Sequence, residues 1–159
     1  MAFDPQPLVS ALESIPGIIE AYVSNIPKER FDEKRNAEAW TIREHVYHVA
    51  SVQKMLYKRI ESIRAEKNPA IVPFFPEKEA AIGDFYESTE AAFAEYRAER
   101  KRQIALIATL RDADYRNEAT HGEYIRYNIP IILNHMIFHE YWHMYRIEET
   151  WLTKDGYFK

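Results

Sequence analysis

The sequence predicts an all-α fold, a four-helix bundle that takes up residues 1–159 as a single domain. Two observations carry this expectation. Glycine is scarce, at 4 residues in 159, so long stretches run without a helix breaker. Within those stretches, apolar residues recur at steps of three and four in four separate places, the period of a helix with one buried face. The length suits one domain with a substantial core and is short for two.

The first segment carries Leu8, Leu12, Ile15, Ile19, Tyr22 and Ile26; Pro16 inside it predicts a kink or restart, and Pro27 an end. The second opens at "WTIRE", where Thr41 and Glu44 have capping-box spacing and set the start at Ile42. Its stripe of Ile42, Val46, Val49, Leu56, Ile60 and Ile63 should run to Glu66, before Asn68-Pro69 stops it. The connection "KNPAIVPFFPEKEAA" (67–81) is long for a compact domain. It is expected to be a strap packing Phe74 and Phe75 on the bundle, and a lid over a pocket is the sharper alternative. Asp84 with Glu87 reads as a cap for a third helix, striped by Phe85, Thr89, Phe93, Tyr96, Ile104, Ile107 and Leu110. The stretch "RDADYRNEATHGEYIRYN" is polar and expected to be irregular. Pro130 suits a first helical turn, and the fourth helix should reach Leu152.

Composition excludes several function classes. A formal charge of -4 without a clustered basic stripe argues against a nucleic-acid partner. No apolar run approaches the roughly 18–20 residues that span a bilayer, and the N-terminus lacks signal-peptide character, so a cytoplasmic protein with no membrane partner is expected. Cysteine is absent, so any metal must be held by nitrogen and oxygen.

The candidate chemistry lies in the histidines. His139-Glu140-Tyr141-Trp142-His143 spells H-E-x-x-H, the helical zinc motif of many metalloproteases, in which the glutamate is the general base. The downstream third ligand of a zincin is missing: the glycine and histidine positions of the extended motif are Arg146 and Glu149. A di-iron carboxylate bundle fails as well, because only Glu140/His143 supplies an E-x-x-H pair. The third ligand must come from upstream, and His45 and His48 on the second helix are the rich source. His135, His139 and His143 are four apart, each turned only about 40° from the last, so they share one face. Spacing alone leaves open whether His45 or His48 joins His139 and His143. His135 is a fourth ligand, a proton shuttle or core filler, and His121 belongs to a solvated turn. Glu140, about 100° around the helix from His139, is a candidate base or an interhelical partner.

Two motifs together resemble the DinB-like family. "WTIREHVYHVA" is similar to the W-[ST]-x-x-E-h-x-x-H-h opening of that family's second helix, and "ILNHMIFHEYWHMYRI" to its H-x-x-x-H-E-x-x-H fourth helix. Their order, spacing and the total length agree over essentially the whole chain. The resemblance implies an up-down-down-up bundle with long connecting loops, a divalent metal on His48, His139 and His143, and a homodimer. It also implies kinship with bacillithiol- and mycothiol-dependent transferases. Where many members carry R-G-Q after the last histidine, this chain has Met144-Tyr145-Arg146, a departure that touches substrate rather than ligation.

The expected function is that of a metal-dependent enzyme, a thiol S-transferase or small-molecule hydrolase, with a pocket lined by aromatic residues such as Tyr96 and Trp142. Zinc, nickel or iron would suit all-nitrogen ligation, a low-molecular-weight thiol is a candidate second cofactor, and Glu140 is the candidate base. The alternative is a non-catalytic metal-binding bundle with a structural or sensing role. A fourth protein ligand such as His135 would mark it.

Overall fold

The structure is a computed structural model that describes residues 3–75 and 82–154. Its helices are α1 (Gln6–Val23), α2 (Ile42–Ser51), α3 (Gln53–Ala65), α4 (Thr89–Ile107) and α5 (Ile129–Leu152). Its strands are β1 (Ala70–Ile71), β2 (Glu118–His121) and β3 (Tyr124–Asn128). Helices α2 and α3 are two halves of one long helix, so the architecture is the expected four-helix bundle. α1 packs against α4 and α5, and α2–α3 packs against the same two. The first and second long helices therefore face each other across the core.

The apolar stripes meet in that core. Leu12, Ile15 and Ile19 of α1, Ile42 of α2, Ile60 and Ile63 of α3, and Ile129, Ile132 and Leu133 of α5 are all essentially inaccessible to solvent. Each such side chain contributes about 1.5–3 kcal/mol on burial. No helix among the described residues is long and apolar enough to cross a membrane.

The structure departs from the sequence-based expectations at several points. α1 runs unbroken through Pro16, whose ring is buried beside Leu12, Ile15 and Ile19, and ends at Val23, short of Pro27. The second helix loosens at Val52, because the Gln53 side-chain amide donates to the Val49 carbonyl at 2.8 Å and takes the place of a ladder bond there. α4 begins at Thr89 and not near Asp84, since Ser88 Oγ accepts from the Ala91 N–H at 3.1 Å.

The stretch expected to be irregular forms an antiparallel hairpin, β2–β3, with β1 of the strap added in parallel to β2. This small sheet is absent from the all-α expectation. In the strap, Phe74 packs on the core, as expected, while residues 76–81 of the same segment lie outside the described residues. At the hairpin turn Gly122 lets the strap cross closely, since a Cβ there would sit a tight 3.2 Å from Pro73 Cγ.

Candidate metal centre

All six histidines line one cavity of about 460 Å³, although α2, β2 and α5 supply them. Two caps set the registers of the helices that matter most. Thr41 Oγ accepts from the Glu44 N–H at 3.0 Å while Glu44 Oε2 accepts from the Thr41 N–H at 2.7 Å, which fixes the first turn of α2 and hence His45 and His48. Asn128 Oδ1 accepts from the Ile131 N–H at 3.1 Å and starts α5, which continues β3 without a loop.

His48, His139 and His143 converge, with ligand-type atoms that all lie within 4.8 Å of one another. His48 Nε2 is 3.1 Å from His139 Nε2, and His143 Nε2 is also 3.1 Å from His139 Nε2. A neutral imidazole nitrogen carries either one hydrogen or one lone pair. One His139 atom therefore makes two short contacts when it can satisfy one, and a shared cation removes that conflict. Two imidazoles on one zinc ion at about 2.0–2.1 Å in a tetrahedral array have their nitrogens about 3.3 Å apart, close to the spacing here. The donor set fits a divalent metal.

Electrostatics keeps these rings neutral and able to act as ligands. Burial pushes His48 down to about 4 and His139 down to about 3, the latter helped by His48 and His135. Burial holds His143 well below the usual imidazole range, with His139, His48 and His45 adding to the effect. Aromatic rings close the wall: Trp40 stacks on His143 at 5.8 Å, Phe74 on His48 at 6.1 Å, and Trp142 meets His143 edge-on at 4.8 Å.

His45 lies behind this triad. Its Nδ1 is 2.8 Å from His143 Nδ1, and both rings are buried. His48 Nδ1 has no such support and is buried without a hydrogen-bond partner among the described residues. His135 stacks on His139 at 5.5 Å and places its Nδ1 3.1 Å from Tyr124 Oη, outside the triad. His121, expected in a solvated turn, is buried in β2 and faces the cavity. Its signal was the alternation of buried Ala119 and His121 with exposed Glu118 and Thr120 ahead of a glycine.

Glu140 and Tyr96 are elsewhere. The Glu140 carboxylate is fully buried on the core side of α5, ion-paired with Arg100 and accepting from Gln53 Nε2 at 3.0 Å. Burial pushes its carboxyl up against the downward pull of Arg100. Tyr96 is buried beside the same pair, with the Arg100 guanidinium 5.5 Å from its ring centre, so it does not line the cavity; Trp142 does. Also in the wall are Trp40, which opens the second-helix motif, and Arg59, Tyr124 and Tyr127, which no sequence pattern marked.

Comparison with known proteins places this architecture. A family model described as the DinB superfamily matches residues 11–147. A protein of Oceanobacillus iheyensis named "Putative metal-dependent hydrolase OB0782" is 23% identical over 115 residues, which span 72% of this chain and 67% of that protein. Among solved structures, YfiT from Bacillus subtilis is similar with a TM-score of 0.81 at 22% identity, over 91% of this chain and 84% of that one. That protein is described as "a probable metal-dependent hydrolase with an unusual four-helix bundle topology".

Proposed function

The chain belongs to the DinB superfamily, and from that premise we propose that it is a divalent-metal-dependent hydrolase of small molecules, with His48, His139 and His143 as the metal ligands. The observation that carries this is the convergence of three neutral imidazoles in the wall of an accessible cavity, with His139 Nε2 3.1 Å from the Nε2 atoms of both His48 and His143. Both relatives described above are named as metal-dependent hydrolases, which supports the reaction class. Zinc, nickel and iron all suit the donor set. When bound, such an ion supplies Lewis acidity, polarising an electrophile and lowering the pKa of water or of a thiol.

The chain's own residues do the rest. His143 keeps its Nε2 lone pair on the cavity side only if its proton sits on Nδ1, and His45 Nδ1 at 2.8 Å accepts that proton. His45 is thus a positioning residue that fixes a tautomer. His135, held neutral by burial and then by Arg59, stacks beside His139 and is placed to take a proton from an incoming nucleophile. Trp40, Phe74 and Trp142 limit water around the triad. Glu140 acts through structure: it locks α5 to α4 one residue from His139.

Among the described residues the triad has no fourth protein ligand, which supports an enzyme over an inert structural site. Elemental analysis of untagged protein tests the site. Near-stoichiometric divalent metal in wild type and His135→Ala, with loss in His48→Ala and His139→Ala, is expected. Absence of metal after reconstitution with zinc, nickel and iron would overturn it. A screen of ester and amide substrates, run beside a low-molecular-weight thiol with an electrophile, then separates hydrolysis from S-transfer.

A further inference from the structure

Arg59, His121 and Tyr127 bring a group of hydrogen-bond donors to the cavity wall. Arg59, on α3, gives Nη1–H to Tyr127 Oη at 3.0 Å and Nη2–H to the Val72 carbonyl at 2.8 Å. Both partners are neutral, and Arg59 makes no ion pair among the described residues. A guanidinium has five N–H groups, so donors remain. Tyr127 accepts from Arg59 and so keeps its own hydrogen to give. His121 Nδ1 accepts from the Glu123 backbone N–H at 3.2 Å, which puts the proton of the neutral ring on Nε2 as another donor. His121 and Tyr127 are buried, with ring centroids 4.5 Å apart in a tilted contact, so their positions are fixed.

Glu123, at the exposed hairpin tip, also borders the cavity. Its backbone N–H is already given to His121 Nδ1. A set of buried or half-buried donors around a guanidinium with no ion pair among the described residues is suited to a bidentate oxyanion.

We infer that Arg59, His121 and Tyr127 form an oxyanion-recognition subsite, and that the substrate is a small organic acid whose carboxylate or phosphate docks there. The aromatic wall formed by Trp40, Phe74 and Trp142 takes its apolar part. This rests on the proposed hydrolase for the reaction that follows, and on no metal for the binding itself.

The test uses metal-free protein, so that the triad cannot capture the anion through a metal. Benzoate, phenyl phosphate and the neutral benzamide are titrated while the fluorescence of Trp40 and Trp142 is followed. At least one of the two anions should bind about tenfold or more tighter than benzamide. Which anion binds tighter tells carboxylate from phosphate. In Arg59→Leu and Arg59→Gln the preference should collapse to within about twofold. An equal affinity for anions and amide in wild type, or a preference unchanged in either variant, overturns the subsite. Should both variants unfold, NMR on the wild type decides. Benzoate must shift the His121 and Tyr127 ring signals, and shifts confined to His48, His139 and His143 refute it.

The two readings fail differently. An Arg59-dependent preference in a protein that never binds metal would leave the subsite standing and remove the metal-dependent hydrolase. Benzoate binding only to zinc-loaded protein, insensitive to Arg59, would do the reverse.

Discussion

Replacing His45 by leucine isolates the one contact that sets the tautomer of a proposed ligand. His45 Nδ1 and His143 Nδ1 are 2.8 Å apart, and His143 is only 2% exposed. With His45 gone, the Nδ1–H that His143 must carry in the metal-bound state is buried without an acceptor, at a cost of about 1–3 kcal/mol. In the metal-free state the ring lessens that cost by moving its proton to Nε2, where His139 Nε2 lies 3.1 Å away, and leaves only a bare lone pair at Nδ1. The penalty therefore falls on the bound state and appears in the metal dissociation constant. Removal of such outer-shell partners weakens metal binding about 10–100-fold, or about 1.4–2.7 kcal/mol, in agreement with the hydrogen-bond figure. His45→Asn is the control, since its Oδ1 takes the place of the ring Nδ1 and restores the acceptor. Zinc affinity by competition with a chelator of known strength is the assay, with melting temperatures confirming that all three proteins fold. A leucine variant that binds zinc as tightly as wild type, or an asparagine variant no better than leucine, would refute the tautomer argument.

Three further outcomes are expected. The metal-free protein should lose stability as pH falls from about 6.5 towards 4. The unfolded chain takes up protons on His45, His48, His139 and His143 near the ordinary imidazole pKa, while the folded rings do not, since burial depresses His45, His48 and His139 to about 3 or 4 and holds His143 well below the ordinary value. Melting temperature against pH checks this, and a flat profile over that window would count against neutral buried rings. Glu140→Gln should cost about 3–5 kcal/mol by urea denaturation, because it leaves Arg100 charged and buried, yet should keep full metal stoichiometry. A stable but inactive Glu140→Gln would instead point to a base. The exposed aromatic face of α5, with Phe138, Tyr141 and Tyr145, is our candidate for a homodimer contact. Sedimentation should give a dimer that Tyr145→Glu converts to monomer, and a wild-type monomer at micromolar concentration would dismiss it.

What could be read from the sequence was local. The Thr41/Glu44 capping box and the Asn128-Ile129-Pro130 start of α5 depend on neighbours within a few residues, so both helix starts were legible to within a residue. The common face of His135, His139 and His143 follows from helical geometry alone. Features decided by distant partners were not legible. Glu140 completes an H-E-x-x-H motif, but its direction is set by Arg100, forty residues upstream on a helix whose charged residues look like ordinary surface. Tyr96 sits in an apolar stripe whichever side of the bundle it faces. The loosening at Val52 depends on a rotamer of Gln53, which also accepts from Gln103 Nε2 at 3.0 Å across the core. The hairpin was hidden because its strands are short and its polar residues outnumber the buried ones.

The contacts between α2 and α5 join residues very far apart along the chain, 91 positions for His48–His139 and 98 for His45–His143. Any bond between them closes a loop of that length, and in a disordered chain such closure costs several kcal/mol of configurational entropy. Neither half of the site can assemble the other in advance of the bundle. An ion that needs both would be captured only after the last helix has docked, and would be released by any excursion that lifts it away. Metal occupancy would then measure folding itself, separating finished molecules from incomplete ones before any substrate is met.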